Sequence, residues 1–292
     1  MTTEQLVPLK DLDGFTWNDN GQAVLTGRAL ELYWQLEQMF LSWAANYSAQ
    51  QWKMPTFISA RHLAKLDYFH SFPQLITMPV TLDSAEENVA AFAGRTPIDE
   101  HGELHLTKLS AIKDVLTPAT CYHFYVGHQG QRLDSPRYLT ACANCFRRES
   151  EYLPLQRQWS FNMREIVCIG NADEVKSFLA SWKTALEQFF IDAQMDVKFA
   201  NATDPFFKPS RNPKYLMQKL DPVKEEMIFR NHLAIGSINF HRSYFGEAFS
   251  ITRADEEASS GCVAFGMERW LFALVATFGT GEIKLPELRL KR

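Results

Sequence analysis

Two stretches of the chain, Tyr138–Glu149 and Arg157–Gly170, are rich in aromatic and branched residues, and only the short segment 150–156 separates them. A parallel strand pair needs a crossover of a dozen or more residues, so this connection admits an antiparallel hairpin and little else. Further stretches of the same character, Thr120–Gly127, Val197–Ala202 and Gly236–Ile251, are bounded by turn residues and read as strands. Helical periodicity brackets them. Leu25, Ala29, Leu32, Leu36, Met39 and Trp43 recur at helical spacing and predict an amphipathic helix over about 22–46. A second helix follows Asn171, with Glu174 placed as in a capping box and an apolar stripe from Val175 to Phe189. A third runs from Met267 to Phe278 and stops at Gly279. The pattern is α+β, an antiparallel sheet flanked by helices.

The chain has 292 residues, 46% of them hydrophobic and 22% charged, which excludes a disordered, collagenous or disulfide-scaffold protein. No repeat or Pro/Gly/Ser linker divides it. The organisation expected is an N-terminal helical extension over 1–50 and one catalytic-sized domain over 51–292. The longest apolar run, Trp270–Phe278, is too short to span a bilayer. The acidic residues of Met1–Asn20 are unlike a signal peptide. Five cysteines, an odd number, suggest reduced thiols and a cytoplasmic protein. With 30 basic and 34 acidic residues the net charge is −4, so the global basic field of a nucleic-acid binder is missing.

The segment richest in chemistry runs from Cys145 through Arg147-Arg148-Glu149 to Arg157-Gln158-Trp159-Ser160-Phe161-Asn162-Met163-Arg164-Glu165. Alternate residues of a strand share a face, so Arg147 and Glu149 point one way, and Arg157, Trp159, Phe161, Met163 and Glu165 share another single face. Paired as a hairpin, these would interleave arginines, carboxylates and rings on one surface. Arginine grips phosphate oxygens bidentately, a ring stacks on a base, and a carboxylate accepts from an amino group. A nucleotide site and a solvated strand face laced with salt bridges both satisfy this pattern. Elsewhere, Cys142 and Cys145 form a CxxC, but on a strand they would point to opposite faces and read as buried thiols, as does Cys168. His101 and His105 belong to a loop, and Gly279-Thr280-Gly281 lacks the context of a phosphate loop. Trp34, Phe40 and Trp43 are expected to face the core.

Phe146-Arg147-Arg148-Glu149, the loop and Phe161 resemble motif 2 of the class II aminoacyl-tRNA synthetases. Gly261-Cys262-Val263-Ala264-Phe265-Gly266-Met267-Glu268-Arg269 resembles their motif 3. Thr117-Pro118-Ala119-Thr120-Cys121-Tyr122, Asp204-Pro205-Phe206-Phe207 and Phe240-His241 also agree, in order, from about Trp52 to the C-terminus. The likeness is to seryl synthetase cores, and within them to the truncated homologues called amino acid:[carrier protein] ligases. It implies a class II antiparallel sheet and a homodimer. Arg147 would meet the ATP α-phosphate, Glu149 the adenine and Arg157 the γ-phosphate, while Phe161 and Arg269 would sandwich the base. It also implies zinc on Cys121, Glu165 and Cys262, with an open position for the α-amino group of the substrate.

The activity implied is formation of an aminoacyl-adenylate from a small amino acid, glycine or alanine, ATP and Mg²⁺, with transfer to the phosphopantetheine thiol of a holo carrier protein. Arg147 and Arg269 would carry the charge of the transition state. The acidic balance and the absence of a tRNA-gripping coiled coil speak against tRNA as acceptor. An acidic carrier protein would need a local basic patch, for which Arg211, Lys214 and Lys219 are the candidates. Two other readings follow from the same motifs: a tRNA-directed enzyme with this chemistry, and a catalytically silent regulatory paralogue. One departure stands out. Leu233-Ala234-Ile235-Gly236-Ser237 lacks the metal-binding Glu of many synthetases, which leaves Glu149 or Glu247 as substitutes for Mg²⁺.

Overall fold

The computed structural model describes residues 9–95 and 98–290. In chain order, a small hairpin of β1 (Phe15–Asn18) and β2 (Gln22–Leu25) leads into helix α1 (Gly27–Ala45) and β3 (Gln50–Gln51). Then come β4 (Phe57–Ser59), α2 (Ala60–Lys65), α3 (Tyr68–Ser71), α4 (Glu86–Ala93) and β5 (Asp114–Leu116). After α5 (Tyr122–Gly127) and β6 (Arg132–Leu133) lie the long strands β7 (Arg137–Phe146) and β8 (Ser160–Gly170). They are followed by α6 (Ala172–Asp192), β9 (Val197–Asn201), α7 (Pro213–Leu220), β10 (Lys224–Phe229) and β11 (Leu233–Arg242). The chain continues through α8 (Tyr244–Phe249), β12 (Thr252–Arg253), β13 (Glu256–Glu257), β14 (Ser259–Gly266) and α9 (Met267–Phe278).

The hairpin read at 138–170 forms the second and third strands of a seven-stranded sheet of order β3-β7-β8-β14-β11-β10-β9. Its pairs are antiparallel except at the edge, where β3 runs parallel to β7. The register sets Ala141 of β7 and Ala264 of β14 on either side of Glu165. Alternation then sorts each strand between two buried layers. Ile166, Cys168, Val263 and Phe265 meet α1, α6 and α9, whose Phe40, Trp43, Trp182 and Trp270 fill the same core. Phe40 stacks flat on Phe265 with ring centroids 4.4 Å apart. Val167, Ile169, Cys262 and Ala264 face the other way, onto Phe124, Tyr125 and Phe249. The site lies on this second side.

Local signals act where they were read. Asn171 Oδ1 accepts the Glu174 N–H at 2.9 Å while Glu174 Oε2 accepts the Asn171 N–H at 2.7 Å, so the capping box opens α6. Gly279, at φ +74°, ends α9. The cysteines at 142 and 145 are free and on strand β7, one against the helical core and the other buried toward the opposite side. Other expectations are corrected. Residues 122–127 are helix rather than strand: neighbouring Phe124 and Tyr125 pack into the same core cluster, which the alternation of a strand cannot arrange. The helix expected from 22 begins at Gly27, since Gln22–Leu25 use their backbone to pair with Phe15–Asn18. Strand β11 stops at Arg242, whose φ of +54° breaks the extended run before α8. Trp34 is 53% exposed: it lies two residues, more than half a turn, from both Leu32 and Leu36, which face the core. Among the described residues no helix is long and apolar enough to cross a membrane.

Candidate active site

Alternation along β8 turns Phe161, Met163 and Glu165 to the face away from the large helices, and two adjoining cavities open there. The larger, about 580 Å³, is walled by rings such as Tyr68, Phe72, Tyr122 and Phe245 and has Cys121, Glu165 and Cys262 in its lining. The smaller, about 110 Å³, is lined by Glu149, Arg157, Phe161, Glu268 and Arg269. Arg147, Met163, Lys224 and Ser237 line both and so form the boundary between them. Each residue that the sequence assigned to ATP or zinc therefore borders one cavity or the other.

Arg147, Glu149 and Arg157 do this from the connecting loop rather than from the strands, which end at Phe146 and resume at Ser160. The Arg147 guanidinium is fixed by donation from Nε to the Pro118 carbonyl at 2.9 Å and lies 5.3 Å from the Phe161 ring centroid. Trp159 departs from the predicted face. Its Nε1 donates to Thr77 Oγ1 at 2.9 Å, its ring stacks on Tyr152, and it lines neither cavity. Arg157 is only loosely paired, at 4.0 Å, with exposed Glu151. Such a contact leaves a long side chain free to reach a ligand.

Arg269, in the first turn of α9, donates from Nε to the Gln156 carbonyl at 2.7 Å and from Nη1 to the Ala234 carbonyl at 2.8 Å. Both of these partners are neutral carbonyls, while Glu226 and Glu149 act on its charge without a direct ion pair. Burial, followed by the neighbouring Arg147 charge, presses its pKa below the ordinary value. Two guanidiniums held by carbonyl oxygens rather than by direct ion pairs, beside one cavity, favour an anion there. Gly236 keeps the floor of that cavity thin: a Cβ there would meet the Ala264 carbonyl oxygen at 2.6 Å.

Cys121, Glu165 and Cys262 come from three separate elements and meet in the larger cavity. Hydrogen bonding between the two thiols holds Cys121 well above the ordinary thiol range, with burial adding to the rise, and holds Cys262 well below it, where His241 and Asn239 help to outweigh the opposing effect of burial. Burial raises the Glu165 carboxyl to about 8. Glu165 Oε1 accepts from the Thr120 N–H at 3.2 Å, whereas Oε2 is buried without a hydrogen-bond partner. An orphaned carboxyl oxygen beside two thiols fits a thiophilic cation in donor chemistry. In geometry, however, no group of three His, Cys, Asp or Glu side chains among the described residues is arranged to hold a metal ion.

The structure also brings in residues that the sequence reading did not single out. Asn239 donates to Cys262 Sγ at 3.2 Å, and His241 Nε2 stands 3.7 Å from the same sulfur. Lys224 lies between Asp204 and Glu226. Glu268 accepts from the Asn162 N–H through both oxygens at 3.0 Å and ties α9 to β8. The positions of Asn239 and Glu226 could have been read from strand alternation, but not their partners. Glu247 is exposed and lines neither cavity.

Comparison with known proteins bears on this geometry. Residues 114–278 match the tRNA synthetase class II core domain (G, H, P, S and T). Amino acid–[acyl-carrier-protein] ligase 1 of Bradyrhizobium diazoefficiens is 34% identical over 236 residues, 78% of this chain and 71% of that protein. Ligase 2 of the same organism is 32% identical over 235 residues, 78% and 69% of the two chains. The type-2 serine–tRNA ligase of Methanococcus maripaludis is 28% identical over 195 residues, 61% of this chain and 37% of that one. Among solved structures, the M. kandleri seryl-tRNA synthetase in complex with A. aeolicus tRNASec superposes with a TM-score of 0.76 at 20% identity, covering 95% of this chain and 57% of that one. Giardia lamblia prolyl-tRNA synthetase with prolyl-adenylate gives 0.69 at 14% identity, over 97% and 53%.

Proposed function

Because the chain belongs to the class II tRNA synthetase core family, among its amino acid–[acyl-carrier-protein] ligases, and is thus an adenylate-forming ligase, we propose that it activates a small amino acid of the glycine or alanine class and passes it to the phosphopantetheine thiol of a holo carrier protein. The observation that carries this reading is the pair of cavities meeting across Arg147, Met163, Lys224 and Ser237. The smaller, lined by Arg147, Arg157 and Arg269, supports reading it as the polyanion site, and Cys121, Glu165 and Cys262 in the larger support reading that one as the place of an amine-bearing acid. The larger must also admit the thiol arm of the acceptor, which leaves the amino acid little room for a side chain.

In the first half-reaction ATP lies in the smaller cavity, its base between Phe161 and Arg269, with Glu149 near the adenine and Arg157 on the terminal phosphate. A carboxylate oxygen of the amino acid attacks the α-phosphorus in line, and the bond to pyrophosphate breaks. Arg147 and Arg269, fixed in advance by backbone carbonyls, neutralise the growing charge without reorganising. Mg²⁺ accompanies ATP, as the family implies; of the two carboxylates considered for it, only Glu149 borders the nucleotide cavity. Cys121, Glu165 and Cys262 would hold zinc, which when bound supplies a Lewis-acidic position for the neutral α-amino group. Asn239 and His241, in the lining of the same cavity, orient Cys262, and the Thr120 N–H orients Glu165. In the second half-reaction the acceptor sulfur attacks the acyl carbon and AMP leaves; a thiol of pKa about 8.5 needs little help at neutral pH.

The rest of the reading belongs with this proposal: a cytoplasmic homodimer, an N-terminal extension over 1–50 on a catalytic domain over 51–292, and docking of an acidic carrier near Arg211, Lys214 and Lys219. Lys214 stands at the mouth of the larger cavity, where Asp67 at 3.0 Å partly neutralises it, while Arg211 and Lys219 are exposed. The experiment is pyrophosphate exchange with each amino acid, followed by mass measurement of a holo carrier protein and of tRNA after incubation with the active one. Exchange with glycine or alanine and a mass gain on the carrier alone are expected; acylated tRNA would overturn the choice of acceptor. Cys262→Ala should lose stoichiometric zinc and amino acid activation together. Retention of both would remove the metal from the mechanism.

A further inference from the structure

Four residues border both cavities, and the bond made in adenylation joins an atom from each cavity. The boundary is therefore where reacting atoms must lie. Lys224 is the one lysine among the four. It opens β10, in register with Asn239 of β11, and its side chain is 17% exposed. Its ammonium reaches Asp204 Oδ1 at 3.1 Å and Glu226 Oε1 at 3.2 Å. Asp204 is itself anchored: Oδ2 accepts from Gln218 Nε2 at 3.0 Å, and its N–H donates to Gln218 Oε1 at 3.0 Å.

An ammonium has three N–H donors. One is held by Asp204, and Glu226 adds an ion pair without a directed hydrogen bond, which leaves an N–H for an oxygen in the cavity space that Lys224 borders. The two carboxylates also balance Lys224 and Arg147, so the lysine keeps its charge in a largely buried place beside a guanidinium. Asp204 lines the larger cavity and Glu226 the smaller, so the two carboxylates fix the ammonium at the seam. We propose that Lys224 is a further catalytic residue, donating a free N–H to an oxygen at the carboxylate–α-phosphate junction during adenylation. Bringing a carboxylate to a polyphosphate forces like charges together, and a second fixed cation beside Arg147 lowers that cost where the bond forms. The carboxylate oxygen bonds to phosphorus, the phosphorus–pyrophosphate bond breaks, and the lysine keeps its proton throughout.

This assignment rests on the adenylation reading above, and the test separates the two. Lys224→Met and Lys224→Arg are compared with the unaltered protein in pyrophosphate exchange, in ATP binding without amino acid, and in binding of the non-hydrolysable aminoacyl-sulfamoyl adenosine. Lys224→Met is expected to lower kcat for exchange about 10²–10³-fold. It should weaken the adenylate analogue comparably while moving the Kd of ATP alone less than about threefold, since only a junction contact is removed. Lys224→Arg, which keeps the charge, should recover a large part of the loss. Should Lys224→Met leave Asp204 and Glu226 too poorly balanced to fold, Lys224→Met/Glu226→Gln carries the same prediction with one carboxylate fewer. An exchange rate near that of the unaltered protein in either variant, or a loss of ATP affinity as large as that of the analogue, would overturn the assignment. Absence of exchange by the unaltered protein with every amino acid would instead bring down the adenylation reading, and this role with it.

Discussion

Glu268 shows how a single carboxyl is balanced at the edge of the site. Burial raises it to about 7, outweighing the Asn162 hydrogen bonds that favour the charged form. A folded pKa above the unfolded value of 4.5 means its stabilising contribution is complete below 4.5 and is lost as pH rises through about 7. Glu268→Gln should therefore gain about 1–3 kcal/mol relative to the parent between pH 5 and pH 8, at about 1.4 kcal/mol per pKa unit. Urea unfolding at the two pH values checks this; an unchanged difference would show that the carboxyl is not neutral in the fold. Phe161→Ala should raise KM for ATP about tenfold, the worth of one stacking contact, with kcat nearly unchanged. At this scale the sequence was informative where function follows local spacing, as in Arg147 to Glu165. It was silent where partners are distant along the chain: Asp204 meets Lys224 across 20 positions and His241 meets Cys262 across 21. Only strand pairing brings these together.

Strand β8 carries charge on both faces, and its rear face is as constrained as its front. Behind Met163 and Glu165, Arg164 is buried and bonded to Glu37 of α1, and its Nη1 donates to Thr140 Oγ1 at 3.0 Å. Thr140 in turn donates to the Glu165 carbonyl at 2.8 Å, so the polar contacts behind the sheet steady the backbone of a candidate metal ligand. Glu37→Gln should cost about 3–5 kcal/mol in denaturant unfolding, because it strands a buried guanidinium. Glu37→Leu with Arg164→Met should cost less than the single change; an additive loss would contradict this. Helices with caps and long stripes, such as α6 and α9, were legible because their signals are local. The segment 122–127 was not: its aromatic composition suits a strand, and the helix shows only in the packing of adjacent Phe124 and Tyr125 into one core cluster.

For the whole molecule, the sheet has no solvent face at its centre. Helices cover one side, and the site with its supporting short helices occupies the other. The first 45 residues contribute Leu32, Leu36, Phe40 and Trp43 to the helical side. A chain begun at Gln50 is therefore expected to aggregate or to bind the hydrophobic dye ANS; a soluble, cooperatively unfolding product would show that α1 is dispensable. The two-sided burial of β8 also limits how the gene for such a protein can change. Substitutions act on one face at a time, but losing or gaining one codon within Ser160–Gly170 would exchange the faces downstream of it, bringing Arg164 or Ile166 to the place of Glu165. Length variation among descendants should therefore collect in 150–156 and in the loops before β5, while the strand keeps a fixed count through wide divergence in composition.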